Sequence, residues 1–218
     1  MNPAARPLTP VGVFGGTFNP VHYGHLRSAL ELVEHLDLDH LRLMPCATPP
    51  HRQAPMCSAE DRAAMVELAV AGEPHLRCDR RELEREGVSY TIDSLLDLRA
   101  ELDQRHSLTM VMGSDAVHKI NSWHRWDELL DVAHIVVLAR PGWQFPTEGE
   151  VADWLAQHRA DASDVLHRDT CGSVLVQELR PLDISSTEVR ELLANGRSPR
   201  YLLPECVLDY IQERQLYL

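Results

Sequence analysis

Two imidazoles, His22 and His25, stand three residues apart in the segment Gly15-Gly16-Thr17-Phe18-Asn19-Pro20-Val21-His22-Tyr23-Gly24-His25, directly after the apolar run Val11 to Phe14. Paired glycines let backbone N–H groups approach a phosphate without a Cβ in the way. A helix that follows such a turn aims the positive end of its dipole at the same place. His22 and His25 fall at i and i+3 of the first helical turn, which brings both rings to one face beside that anion site. Each ring can donate a hydrogen bond to a phosphate oxygen. A zinc site fits less well, because helical ligand pairs are usually four apart and no third histidine or cysteine has motif spacing nearby. No metal ligand set is expected.

A second group lies far down the chain. Asp183-Ile184-Ser185-Ser186-Thr187-Glu188-Val189-Arg190 opens another amphipathic helix. Hydroxyls at a helix start cap backbone N–H groups and can also meet phosphates. Arg190, one turn in, adds a permanent charge on a planar donor fork.

Elements of the right kind surround both groups. Val11 to Phe14, His40 to Met44, His75 to Cys78, Leu108 to Met112, Ile135 to Ala139 and Val174 to Gln177 are short apolar strands. Helical patterns alternate with them: from the Gly-Gly turn to Leu36, from the Ser58 cap to about Ala71, Thr91 to Arg105 and Trp123 to Asp131. Strands that are apolar on both sides and separated by helices indicate β-α-β units and a parallel sheet covered on both faces. The fold class is α/β, a Rossmann-like doubly wound sheet, and ligands in such sheets sit beyond the strands' carboxyl ends. Ser185 to Ala194, closed by Asn195-Gly196, and Glu205 to Arg214 are helices with no strand after them. The expected organisation is a flexible tail over 1–10, the sheet domain over 11–183 and a helical extension of that domain over 184–218.

Bulk properties narrow the partners. The chain has 218 residues and a formal net charge of -12, which speaks against a broad nucleic-acid footprint. It lacks an apolar run of membrane-spanning length. Five scattered cysteines without a C-x-x-C pair suit a reducing cytoplasm. Lys119 is the sole lysine, so enzyme classes that need a lysine in a fixed motif, such as the P-loop, are set aside.

The Gly15 to His25 segment resembles the H-x-G-H signature of the nucleotidyltransferase superfamily, shared in outline with class I aminoacyl-tRNA synthetases. Ile184 to Arg190 resembles that superfamily's I-S-x-T-x-x-R signature. The synthetase equivalent is lysine-rich and does not match. Between the two lie Pro49-Pro50-His51-Arg52, Ser89-Tyr90-Thr91, Gly113-Ser114-Asp115, Trp123 and Arg140-Pro141-Gly142. In that order, over nearly the whole chain, they resemble bacterial nicotinate-nucleotide adenylyltransferases. Asn19 departs from the pattern, since most relatives carry Asp there.

The resemblance implies transfer of the adenylyl group of ATP to nicotinate mononucleotide, with Mg²⁺ carried mainly by the ATP phosphates and no covalent intermediate. It implies that Gly15, Gly16, Thr17, Phe18, His22 and His25 meet the ATP phosphates, and that Ser185, Ser186, Thr187 and Arg190 clamp the β and γ groups. His22, His25 and Arg190 are the expected catalytic residues. His51, Arg52 and Arg140 would meet the remaining anionic charge, and Thr91, Gly113, Asp115 and Trp123 the mononucleotide, with Trp123 stacked on its ring. Nicotinamide mononucleotide as acceptor, or a nucleotide-sensing module without turnover, are the alternatives. A homo-oligomer stays open.

Overall fold

The computed structural model describes residues 6–47, 56–85, 87–139, 143–144, 146–180 and 182–217. The strands are β1 (Thr9–Gly16), β2 (His40–Pro45), β3 (Leu76–Cys78), β4 (His106–Gly113), β5 (His134–Ala139) and β6 (Val174–Glu178). The helices are α1 (Tyr23–Leu36), α2 (Ala59–Val70), α3 (Arg81–Glu84), α4 (Thr91–Glu101), α5 (Ser114–Val117), α6 (Leu129–Val132), α7 (Glu150–His158), α8 (Ser186–Ala194) and α9 (Glu205–Glu213). The strands form one sheet in the order β3-β2-β1-β4-β5-β6, and the β2–β3, β4–β5 and β5–β6 ladders run parallel. This is the Rossmann order, which reverses after the first strand. The turn singled out in the sequence is the carboxyl end of β1.

The chain divides into two compact units. One comprises Phe14–Leu32, Leu41–Ser89 and Arg180–Leu218. In it Ser58 caps α2, accepting from the Asp61 N–H at 3.0 Å and donating to the Asp61 carboxylate at 2.6 Å. α9 packs on α2 through buried Val207, Leu208 and Ile211. Tyr210 of α9 and Arg214, which caps its end, reach the Asp61 carboxylate at 2.9 and 3.1 Å. α8 ends as expected: Gly196, at φ +65°, and Arg197 donate back to Leu193 and Leu192 carbonyls, a Schellman closure that needs a residue tolerant of positive φ.

The other unit comprises Met1–Val13, Val33–His40 and Tyr90–Leu179. Its β5 is buried along nearly its whole length, from His134 to Val137 and again at Ala139, as befits a strand covered on both faces. Buried His134 uses both ring nitrogens, donating to the Asp169 carbonyl at 2.8 Å and accepting from Ser173 N–H at 3.1 Å.

Three expectations are corrected here. β1 begins at Thr9 rather than Val11, because Leu8 and Thr9 N–H groups already bond to His167 and Arg105 carbonyls. α4 stops at Glu101, short of Arg105, because the Asp103 carboxylate takes the Arg105 N–H and the His106 ring into a local turn. Trp123 to Asp131 is not one helix. Arg125 sits in the left-handed region at φ +51°, its guanidinium forked onto Glu128; a 3-10 turn at Ile120–Ser122 ends before Trp123, and a second at Trp126–Glu128 leads into α6. α3, α5 and α7 went unforeseen. Among the described residues no helix is long and apolar enough to cross a membrane.

Candidate active site

The β1 turn is shaped by its own side chains. Phe18 is 2 % exposed and adopts φ +46°, a backbone that bulky L residues seldom take. Its ring lies beneath Gly16, where a Cβ would sit 2.9 Å from it. At Gly15, by contrast, a Cβ would meet nothing within 4 Å. Among the described residues none fills that space.

His22 lies one residue ahead of α1 rather than inside its first turn, yet the two imidazoles do meet. Their rings stack at 3.8 Å and 28°, and Phe18 stands edge-on to His25 at 5.1 Å. Burial lowers the His22 pKa to about 4. Burial, together with the neighbouring His22, lowers that of His25 to about 3. Both rings are therefore neutral at pH 7, each with one N–H donor and one acceptor nitrogen. Nδ1 of each is buried without a hydrogen-bond partner among the described residues. Gly24 has a steric reason: a Cβ there would lie 2.9 Å from His22 Nδ1 and 3.4 Å from the Ile184 carbonyl oxygen.

The second sequence group comes to this turn within the same unit. Ser185 caps α8, accepting from Glu188 N–H at 3.1 Å. Ser186 Oγ donates to the Pro20 carbonyl at 2.9 Å. Arg190 donates to the Asn19 carbonyl at 2.7 Å and to Thr187 Oγ1 at 3.2 Å. The clamp hydroxyls and the guanidinium thus converge on the segment that carries the histidines, although 165 or more residues separate them in sequence.

Asn19 has a structural account. Tyr217 Oη donates to its Oδ1 at 2.7 Å, and the Cys57 thiol lies 3.2 Å from the same oxygen and 2.9 Å from Tyr217 Oη. All three residues are less than a tenth exposed. A carboxamide oxygen accepts these donors without carrying a formal charge into the pocket.

The expected mononucleotide residues that are described lie in the other unit. Thr91 opens α4, whose N-cap residue Tyr90 makes no side-chain cap. The Tyr90 ring packs on His124 at 4.3 Å, and Arg125 approaches Asp93 at 3.8 Å, which brings the start of α4 beside the Trp123 segment. Trp123 is half-buried. Gly113 closes β4, and exposed Asp115 follows it in α5. His51, Arg52 and Arg140 lie outside the described residues. Sequence reasoning missed Cys57, Tyr217 and Arg62. For Arg62 a signal existed, since it shares the buried stripe of α2 with Met65 and Val66.

A Rossmann-order sheet whose first strand ends in a Gly-rich turn, with neutral paired imidazoles and an arginine-bearing helix start on that turn, defines a nucleotidyltransferase. Residues 13–192 match the model of the family described as Cytidylyltransferase-like. A Cellvibrio japonicus protein named "Probable nicotinate-nucleotide adenylyltransferase" is 49% identical over 207 residues, covering 95% of this chain and 98% of its own. A Hahella chejuensis protein of the same name is 47% identical over 210 residues, covering 96% of each. Among solved structures, Plasmodium falciparum nicotinic acid mononucleotide adenylyltransferase complexed with NaAD shares the fold at TM-score 0.68 and 18% identity, over 96% of this chain and 97% of its own. The chain belongs to the nicotinate-nucleotide adenylyltransferase family.

Proposed function

We propose that this protein transfers the adenylyl group of ATP to nicotinate mononucleotide, giving deamido-NAD and pyrophosphate, a step of NAD biosynthesis. One observation carries the reading. Two stacked, neutral imidazoles and the Arg190 guanidinium converge on a Gly-rich turn at the carboxyl end of β1, in a chain 49% identical to a relative of that name.

The chemistry needs little from a base. A phosphomonoester has a second pKa of about 6 and is mostly dianionic at neutral pH. An oxygen of the mononucleotide phosphate attacks the α-phosphorus of ATP and forms the new P–O–P bond. The bond to the β-phosphate oxygen breaks, and its electron pair leaves on pyrophosphate. No proton has to move. What opposes the reaction is repulsion between anions and charge building on the leaving group, so catalysis is positioning and electrostatic stabilisation.

The roles follow from the donors available. Open space at Gly15 and the turn's backbone N–H groups receive phosphate oxygens. Neutral His22 and His25 donate hydrogen bonds to them without costing a buried charge in the free enzyme. Arg190, with donors to spare beyond its two partners, and the hydroxyls of Ser185, Ser186 and Thr187 meet the leaving β and γ groups. Mg²⁺, when bound with ATP, would screen the charge of the triphosphate. Among the described residues no cluster of three His, Cys, Asp or Glu is placed to hold a metal ion. Thr91, Gly113, Asp115 and Trp123 serve the acceptor. The first turn of α4, without a side-chain cap, offers N–H groups that suit a ring carboxylate better than a carboxamide. His51, Arg52 and Arg140 are assigned to the acceptor by family resemblance alone.

The test is pyrophosphate release with ATP and Mg²⁺, comparing nicotinate with nicotinamide mononucleotide. The expected result is turnover with both substrates present and a preference for nicotinate mononucleotide. Equal rates would overturn the assigned preference. Absence of turnover with either acceptor, with ATP still binding, would favour a sensing module.

A further inference from the structure

Arg62 has no part in the roles above, yet no side chain in its unit is more deeply buried, at 0% exposure. Its guanidinium touches backbone carbonyls: Nη1 donates to Thr17 at 2.7 Å, and Nη2 donates to Cys46 at 2.6 Å and to Ala47 at 2.9 Å. Nε is buried without a partner among the described residues. Among the described residues no carboxylate pairs with it, and adjacent Asp61 is turned to Ser58, Tyr210 and Arg214 instead. A guanidinium cannot shed its proton in a protein, so this is a permanent buried cation held by dipoles alone. Packing alone would be served as well by methionine.

The carbonyls it holds belong to two strand ends. Thr17 follows the paired glycines at the end of β1. Cys46 and Ala47 follow β2, and the Cys46 N–H returns to the Gly16 carbonyl at 2.9 Å. The peptide joining Thr17 to Phe18 is the delicate one, because Phe18 takes its left-handed backbone there. In a trans peptide the N–H points opposite to the C=O. A carbonyl pinned toward Arg62 therefore turns the Phe18 N–H away from it. A cation on the carbonyl side also polarises the amide and makes that N–H a stronger donor.

We infer that Arg62 is a positioning residue for ATP: its guanidinium fixes the Thr17–Phe18 peptide of the β1 turn and sets an uncompensated positive charge behind it. The triphosphate supplies the counter-charge that no side chain provides. Arg62 acts through the turn and touches no reacting atom. This inference rests on the adenylyltransferase reading for the identity of the anion.

The test uses the full chain with Arg62→Lys and Arg62→Met. Both remove the planar fork, and the first keeps the charge. Steady-state kinetics with ATP and nicotinate mononucleotide are measured beside ATP affinity by calorimetry. The ATP KM and Kd are expected to rise about tenfold in Arg62→Lys and further in Arg62→Met, with the acceptor KM changed by less than about twofold. Wild-type ATP affinity in either variant overturns the inference. So does an equal rise in both KM values, or a kcat that falls only with the folded fraction, since those mark a merely structural arginine. If neither variant folds, the wild-type Phe18 amide decides: its ¹⁵N–¹H resonance should shift on ATP addition, and a stationary resonance overturns the inference. If wild-type enzyme binds ATP but releases no pyrophosphate with either mononucleotide, the proposed function fails, and the calorimetry still decides the role of Arg62.

Discussion

Gly24→Ala should separate activity from stability. Within a helix, alanine is favoured over glycine by about 0.8–1 kcal/mol, so a site with room would gain that much. This site lacks room on one side only. The added methyl would stand 2.9 Å from His22 Nδ1, 3.0 Å from its Cε1 and 3.4 Å from the Ile184 carbonyl oxygen. Ordinary contact begins near 3.4 Å, so the imidazole has to retreat by roughly half an ångström to one ångström, whereas the carbonyl can stay. His22 cannot keep its 3.8 Å stack on His25 while doing so. With His22 in its proposed role at the phosphates, a displacement of that size costs on the order of 10²-fold, or about 2.7 kcal/mol of transition-state stabilisation. The melting temperature should remain within a few degrees of wild type, because the propensity gain offsets the strain. The assay is pyrophosphate release at varied ATP beside a thermal melt. Gly15→Ala is the control. Beyond its chain neighbours, its methyl meets no atom of the described residues within 4 Å, so a rise in ATP KM there is expected to come from the ligand's own claim on the space. An unchanged kcat/KM for ATP in Gly24→Ala would refute the reasoning. A loss of activity that merely follows a collapsed melting temperature would refute it equally.

Three further outcomes are expected. The His22 and His25 ring protons should show no titration in NMR spectra between pH 8 and pH 5.5, because their pKa values lie at about 4 and about 3; a midpoint near 6.5 would contradict their burial. Their folded pKa values are depressed below the unfolded 6.5, so the stabilisation they confer is complete above pH 6.5 and is lost as pH falls toward 4. Denaturant titrations should then show up to about 2.7 kcal/mol lost per pH unit once both sites are protonated in the unfolded chain. Tyr217→Phe removes a buried donor from Asn19 Oδ1 and should lower stability by about 1–2 kcal/mol in urea titrations, with no change in acceptor KM. Trp123→Ala should raise the mononucleotide KM more than the ATP KM, and equal effects would make Trp123 a packing residue.

The fold was legible where local chemistry decides the outcome. The alternation of apolar runs with helical patterns located every strand of the sheet, and the Ser58 and Ser185 caps and the Asn195-Gly196 closure were read from a few adjacent residues. The histidine turn and the α8 clamp were legible because each is a contiguous segment. That they meet was available only from family resemblance, since the bonds from Ser186 and Arg190 to Pro20 and Asn19 span the chain. Where one side chain redirects the backbone, periodicity misled. Arg125 forks onto Glu128 and breaks an apparently continuous helix, and Asp103 ends α4 early. The Asn19 pocket was invisible because its donors, Cys57 and Tyr217, come from elsewhere in the chain. Arg62 announced itself only as a charge on an apolar stripe, and nothing nearby in sequence names the carbonyls it holds.

The bond from Tyr217 to Asn19 also has a consequence for order of manufacture. It joins residues 198 positions apart. At about 5–20 residues per second, a ribosome makes Tyr217 roughly 10–40 s after it has made Asn19. Throughout that interval the segment bearing both histidines exists without its last tether, and Asn19 Oδ1 can take its donors only from Cys57 or water. The turn that leads to both histidines is thus among the first parts of the protein to be synthesised and among the last to be locked.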